Sequence, residues 1–347
     1  MEQDKQLVLL LDSGNTRLKC RCIDAHNGVL YQQFSLSNTQ VESVLPVLAQ
    51  SMGLGGLAHS ERDVVQTIQA LAGKVVAMHA VAVTSPALKQ AIQQLFQATL
   101  GSDCPTIEWH HSAQDTRILR NLYEPIHHLG NDRWFGMIGV LSHAQAKQEG
   151  DASKQAQNTV SSKTKPAPGV ISQTKLNADI NQARNTISKA KPSERAIMYI
   201  SFGTATTVDT IYEQDFLGGM ILPGVDLMQN SLKQGTAQLP LVTINAETRV
   251  DTFPRGTQAA ITAGIVAAQA GAIVRQCLLV YEQFGSYPDI YVAGGARFGV
   301  LAELKRILSS LGQALNQSVS AEIEIYELEA PVLDGLHYHY VKESLGK

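Results

Sequence analysis

Apolar residues fall into two similar patterns, one near each end of the chain. Residues 7–12 form a continuous apolar run ending in a carboxylate. A glycine turn follows, and residues 17–24 then alternate apolar and polar. This predicts a β-hairpin. The order is repeated further on. A strand is predicted over 196–201, a second glycine turn follows, and Thr207 to Tyr212 returns as its partner. Aligned on their glycines, Leu9-Leu10-Leu11-Asp12-Ser13-Gly14-Asn15-Thr16-Arg17 and Met198-Tyr199-Ile200-Ser201-Phe202-Gly203-Thr204-Ala205-Thr206 place Asp12 opposite Ser201, and Asn15 opposite Thr204.

Other elements surround these hairpins. Residues 40–50 and 61–73 have helical periodicity, with the Gly-rich stretch Met52–Gly56 read as a loop between them. A buried strand is predicted at 78–84. A helix opens at Pro86 and runs to about Leu100, and another runs from Asp132 to His143. In the second half, the segment Gly218-Gly219-Met220-Ile221-Leu222-Pro223-Gly224 precedes a helix. A long apolar helix is predicted over 257–284, a strand over 289–293, and a further helix after Gly294-Gly295. Alternating strands and helices of this kind predict an α/β fold with helices covering mixed sheets.

Between the halves, residues 144–193 are rich in Lys, Gln, Asn, Ser and Thr and contain no Phe, Trp or Tyr. Such a stretch buries little surface and reads as a flexible insertion or linker. The expected domains are therefore 1–143 and 194–347, flanking it.

With 347 residues the chain accommodates two cores. The formal net charge of −3 gives no electrostatic case for nucleic acid. No signal peptide and no apolar run long enough for a bilayer are read, so the expectation is a cytoplasmic protein. Cys20 and Cys22 share one strand face, while Cys104 and Cys277 stand alone, and all four read as free thiols. The adjacent pairs His110-His111 and His127-His128 read as loop or surface histidines, with no paired metal spacing. Walker lysine, nucleophile-elbow and zinc signatures are not found.

A Gly turn flanked by small polar residues brings backbone N–H groups close to phosphate oxygens. Asp12 ends a strand where a carboxylate can hold Mg²⁺, directly or through water. Arg17 and Lys19 alternate on the returning strand, in position to face phosphates. Taken alone, the same residues are also compatible with a simple hairpin whose turn needs glycine. Asp132, read alone, is the N-cap of its helix.

Four motifs occur in order: Asp12-x-Gly14-Asn15-Thr16-Arg17, Leu129-Gly130-x-Asp132-Arg133-Trp134, Gly203-Thr204-Ala205-x-Thr207-x-Asp209, and Gly218-Gly219-x-Ile221-x-Pro223-Gly224. The series resembles the type III pantothenate kinases, of the actin/hexokinase-like superfamily, over nearly the whole chain except 144–193. The resemblance implies two ribonuclease-H-like domains with ATP in a cleft between them. It implies phosphorylation of the primary hydroxyl of pantothenate, the first step of coenzyme A synthesis. Asp132 is then the general base. Tyr123, Gly130, Asn131, Arg133 and Thr257 belong to the pantothenate site, with Thr257 reaching the site of a neighbouring subunit in a homodimer. The segment Asp12, Ser13, Gly14, Asn15, Thr16, Arg17, Leu18, Lys19 and, from the second turn, Thr204 belong to ATP with Mg²⁺. Where the family has an aspartate that helps bind an activating K⁺ or NH₄⁺, this chain has Ser201, a neutral and weaker ligand. Two other readings stay open at this point: another small-molecule phosphotransferase on the same scaffold, and a nucleotide-binding regulator without turnover.

Overall fold

The computed structural model describes residues 5–49, 57–112, 116–160, 195–314, 323–343 and 346. The predicted loop at 52–56 and residues 161–193 of the polar stretch lie outside them. The chain divides into two compact units: residues 1–142 with 328–347, and residues 143–327.

In the first unit, β1 (Leu7–Ser13) is buried along its whole length and lies at the centre of a five-stranded sheet. It pairs antiparallel with β2 (Arg17–Asp24) and parallel with β4 (Val75–Ala82). The edges are β3 (Leu30–Ser37), beside β2, and β5 (Ile107–His110), beside β4, giving the order β3-β2-β1-β4-β5. Leu18, Cys20 and Cys22 alternate onto the core face of β2. All four cysteines are free. Helices α1 (Asn38–Ala49), α2 (His59–Gln69) and α3 (Pro86–Leu100) contribute Val41, Val65, Ile92 and Phe96 to the same core. Helix α3 begins where Ser85 Oγ accepts the Leu88 N–H at 3.2 Å, followed by Pro86 in the first turn. The short β6 (Arg120–Asn121) leads to the site loop.

Helix α4 (Asn131–Val160) is longer than predicted, because it continues into the polar stretch expected to be linker from residue 144. The predicted strand 78–84 begins earlier and ends at Ala82.

The second unit repeats the first. Strand β7 (Ile197–Phe202) pairs antiparallel with β8 (Ala205–Tyr212) and parallel with β10 (Asp289–Ala293). With β9 (Asp215–Pro223) and β11 (Ile325–Glu327), the order among the strands of this unit is β9-β8-β7-β10-β11, which matches the order of the first sheet. In each sheet three antiparallel strands are followed by two parallel ones, the ribonuclease-H-like order expected for the two halves. Helices α5 (Val225–Gly235), α6 (Thr257–Phe284) and α7 (Arg297–Ala314) accompany this sheet.

One sequence expectation fails on α6. By length and composition this helix is long and apolar enough to cross a membrane, contrary to the reading that no run is. In the fold its Ile261, Ile265, Ala270, Ile273 and Cys277 pack into the core of the second unit, which accounts for the apolar run without a bilayer.

Candidate active site

The first turn is tied to three other elements. Gly14 N–H donates to the Arg17 carbonyl at 3.0 Å, closing the hairpin. Asn38, at the start of α1, donates from Nδ2 to the carbonyls of Gly14 (3.0 Å) and Asn15 (2.7 Å), and its own N–H reaches the Thr16 carbonyl. Ser13 Oγ lies 3.3 Å from Thr84 Oγ1, beyond the end of β4. The carbonyls of Gly14, Asn15 and Thr16 are thus all occupied by Asn38. Asn15, Thr16 and Arg17 are exposed, and Arg17 Nη2 donates to Ser35 Oγ at 3.2 Å. Leu18 is different: its side chain is fully buried in the core, so only its backbone is available to a ligand.

Asp12 and Lys19 are cross-strand partners, with Oδ2 and Nζ 3.9 Å apart. Asp12 is buried. Burial pushes its carboxyl up to about 6, against the pull of the Lys19 charge and with a further push from the Asp132 charge. A buried carboxylate with one loosely placed ammonium is under-neutralised, and its environment favours a further cation.

The second carboxylate of this unit, Asp132, lies in the first turn of α4. Asn131 is its anchor: Oδ1 accepts the Ser112 N–H at 2.8 Å and Nδ2 donates to the Ala82 carbonyl at 3.2 Å. Asn131 thereby joins α4 to the end of β4 and to the segment after β5. Trp134 N–H donates to the Gly130 carbonyl at 3.1 Å, starting the helix. Asp132 Oδ1 accepts the Arg133 N–H at 2.8 Å. A Cβ on Gly130 would stand 2.8 Å from that same Oδ1, so glycine leaves room for the carboxylate. Burial raises the Asp132 carboxyl, while the Arg133 N–H and guanidinium lower it. Arg133 is itself buried, with its guanidinium 5.3 Å from the Tyr123 ring centroid. Gly130, Asn131, Asp132, Arg133 and Tyr123 therefore form one cluster within the first unit.

In the second unit the hairpin is tighter. Gly203 N–H donates to the Ala205 carbonyl at 3.1 Å, one residue nearer than the Gly14–Arg17 closure. Ser201 pairs with Thr207 on β8 and Ala293 on β10, as Asp12 pairs with Lys19 and Val81. Where the first hairpin has a carboxylate and an ammonium, the second has two hydroxyls. Thr207 Oγ1 is buried without a hydrogen-bond partner, as is Thr206 Oγ1. Thr204 is exposed, and its carbonyl accepts the Gly224 N–H at 3.0 Å. A side chain on Gly224 would run into the Gly203 and Thr204 carbonyls, so the Gly218–Gly224 motif ends where α5 meets the turn. Gly294 has φ 96, and the Arg297 guanidinium donates to its carbonyl at 2.8 Å. Thr257 is exposed in the first turn of α6. The capping position is Gly256, not Thr257.

Asn38, Thr84 and Ser112, which hold these loops, were not among the predicted residues. Each comes from a different element and reaches the site only through tertiary structure, leaving no local signal beyond Asn38 standing first in a helix.

Comparison with known proteins agrees with this arrangement. A family model described as "Type III pantothenate kinase" matches residues 162–278. The type III pantothenate kinase of Bordetella bronchiseptica is 32% identical over 332 residues, covering 95% of this chain and 96% of its own length. That of Bordetella petrii is 49% identical over 137 residues, covering 39% of this chain and 49% of its own. That of a Janthinobacterium strain is 29% identical over 300 residues, covering 84% and 87%. With full-length identity at this level and the duplicated sheet order, the chain belongs to the type III pantothenate kinase family.

Proposed function

We propose that the protein transfers the γ-phosphoryl group of ATP to the primary hydroxyl of pantothenate, giving 4'-phosphopantothenate for coenzyme A synthesis. The observation that carries this reading is the pair of carboxylates in one unit, Asp12 buried and Asp132 half-buried, each within a family motif and each shifted upward by burial.

Asp132 acts as general base, taking the proton from the attacking hydroxyl at its carboxylate. Phosphoryl transfer has a loose transition state, so positioning outweighs base strength. A carboxyl raised by burial is better matched to neutral pH than an ordinary one. Arg133, Gly130, Asn131 and Tyr123 hold the pantothenate, with Asn131 locked by Ser112 and Ala82. The Asp12-to-Lys19 turn and Thr204 hold ATP, Leu18 through its backbone alone.

The residues at Asp12 fit Mg²⁺: a hard oxygen ligand, buried and short of positive charge. When bound there, the ion would neutralise phosphate charge. The Ser201 position does not fit a strongly held monovalent cation, since both Ser201 and its partner Thr207 are neutral. We therefore expect K⁺ or NH₄⁺ to have little effect.

We further assign a homodimer in which Thr257 serves the neighbouring subunit. Its support is the exposure of Thr257 and an open apolar groove along α5 and α6, lined by Met228, Leu232, Ile261 and Ala268. The reaction belongs in the cytoplasm and needs neither nucleic acid nor membrane. We expect deletion of residues 150–190 to leave turnover nearly intact.

The test is direct. Pure protein with ATP, Mg²⁺ and pantothenate, with and without K⁺ or NH₄⁺, is followed by ADP release and by mass spectrometry of the product. Stoichiometric 4'-phosphopantothenate is expected, and its absence under every cation condition overturns the assignment.

A further inference from the structure

Away from the two carboxylates, the first sheet gathers a different set of side chains. Strands β4 and β5 run parallel with His79 opposite Glu108 and Val81 opposite His110. Glu108 and His110 are two residues apart and so share a face of β5. Met78 and Ala80 point into the core, which turns His79 to the opposite face, the one Glu108 shares with it. Register alone thus brings three ligand-bearing side chains together. The sequence spacing of His79 and His110 does not reveal this, and the reading of His110 as a loop or surface residue is corrected: it lies in β5, half-buried.

The distances are those of a coordination shell. His79 Nδ1 is 3.0 Å from His110 Nε2 and 3.3 Å from Glu108 Oε2, and His110 Nε2 is 4.0 Å from Glu108 Oε1. A tetrahedral site with metal–ligand bonds of about 2.0–2.1 Å has ligand atoms about 3.3 Å apart. The three groups need only small adjustments to meet one ion.

We propose that His79 Nδ1, His110 Nε2 and the Glu108 carboxylate bind one divalent ion of the zinc class, with the fourth position taken by water. Two imidazoles and a carboxylate suit Zn²⁺ and its borderline neighbours, not Mg²⁺ or Ca²⁺, which prefer all-oxygen shells. An ion here would replace the His79 Nδ1–His110 Nε2 hydrogen bond, each ring turning that nitrogen's lone pair to the metal. Glu108 is largely exposed and gives an ion its way in. His339 and Tyr340 of α8 (Pro331–Glu343) flank the cluster, the His339 ring 5.2 Å from that of His110 and the Tyr340 ring 5.4 Å from that of His79. The ion would tie β4 to β5 beside α8, and it would steady the strand that continues into Ser112, the partner of Asn131.

The experiment uses the full chain, stripped with chelator and without nucleotide or pantothenate. Zn²⁺ is titrated by calorimetry, and Co²⁺ by its visible ligand-field bands. One equivalent is expected, with tetrahedral-type cobalt absorption. Glu108→Ala, at an exposed position where folding is not at stake, and His79→Ala with His110→Ala should each weaken binding at least ~10-fold. His59→Ala and His127→Ala, at exposed sites elsewhere, should leave it unchanged. Absence of a stoichiometric site, or affinity unaltered in both Glu108→Ala and the double variant, overturns the proposal. Circular dichroism of each variant separates lost binding from lost folding.

Discussion

Asp12 and Lys19 face each other across β1 and β2 with 3.9 Å between carboxylate and ammonium, and their counterparts in the second hairpin, Ser201 and Thr207, are both uncharged. The two hairpins share strand order and handedness of pairing, but only the first concentrates charge at its turn.

The buried charge of Asp12 has a cost to folding that Asp12→Asn should relieve. The folded carboxyl titrates at about 6, above its ordinary 3.8, so the folded protein holds this proton more tightly than the unfolded chain. Its contribution to stability is therefore greatest below pH 4, declines as pH rises to 6, and stays low above that. At pH 7.5 without Mg²⁺ and nucleotide, Asp12→Asn is expected to be more stable by on the order of 2–3 kcal/mol, and to lose that advantage near pH 4. Chemical denaturation at the two pH values measures this. The same variant should lose kinase turnover and the stabilisation that Mg²⁺ with ATP gives the parent.

Asp132→Asn removes the proposed base while keeping the shape of the first turn of α4. We expect kcat to fall by roughly 10²–10⁴ with KM for pantothenate little changed. In the parent, kcat/KM should decline toward acid through a value above the ordinary carboxylate range, because burial raises Asp132. An unchanged acid limb in Asp132→Asn would assign that titration to another group.

Gly130→Ala tests position without altering charge. The added methyl would stand 2.8 Å from Asp132 Oδ1, so the carboxylate must move. A shift of this kind should lower kcat by about 10², with the thermal midpoint within a few degrees of the parent. Full activity would show that Asp132 need not occupy its present position.

Ser201→Asp should create the anionic ligand that the second hairpin lacks. The parent is expected to turn over at similar rates in K⁺, NH₄⁺ and Na⁺ buffers, and the variant to become faster in K⁺ or NH₄⁺ than in Na⁺. Strong potassium dependence in the parent would point instead to other oxygens holding the cation.

Much of the fold could be read along the chain, for identifiable reasons. Helix α3 is bounded by the Ser85 cap, Pro86 and Gly101, and α6 ends at Gly285 in the left-handed region, all local signals. The buried runs of β1 and β10 have no competing pattern. Strands β3 and β5 were not predicted because they are edges: Leu30 and Tyr31 are exposed on β3, breaking the alternation, and β5 has only four residues. Within the candidate site, the Asp12–Lys19 pairing follows from hairpin length alone. Asn38 and Ser112 are fixed by contacts between distant segments, and the His79–Glu108 register depends on a parallel pairing that no turn dictates.

Helix α8 is grouped with the first unit although it follows the whole of the second in sequence. It packs so closely on α4 that a methyl group on Gly139 would collide with the Pro331 carbonyl. On the ribosome, where domains generally fold as they emerge, residues 143–327 are all available before α8 is made. The first unit, which carries both Asp12 and Asp132, is thus completed only by a segment made after the whole of the second.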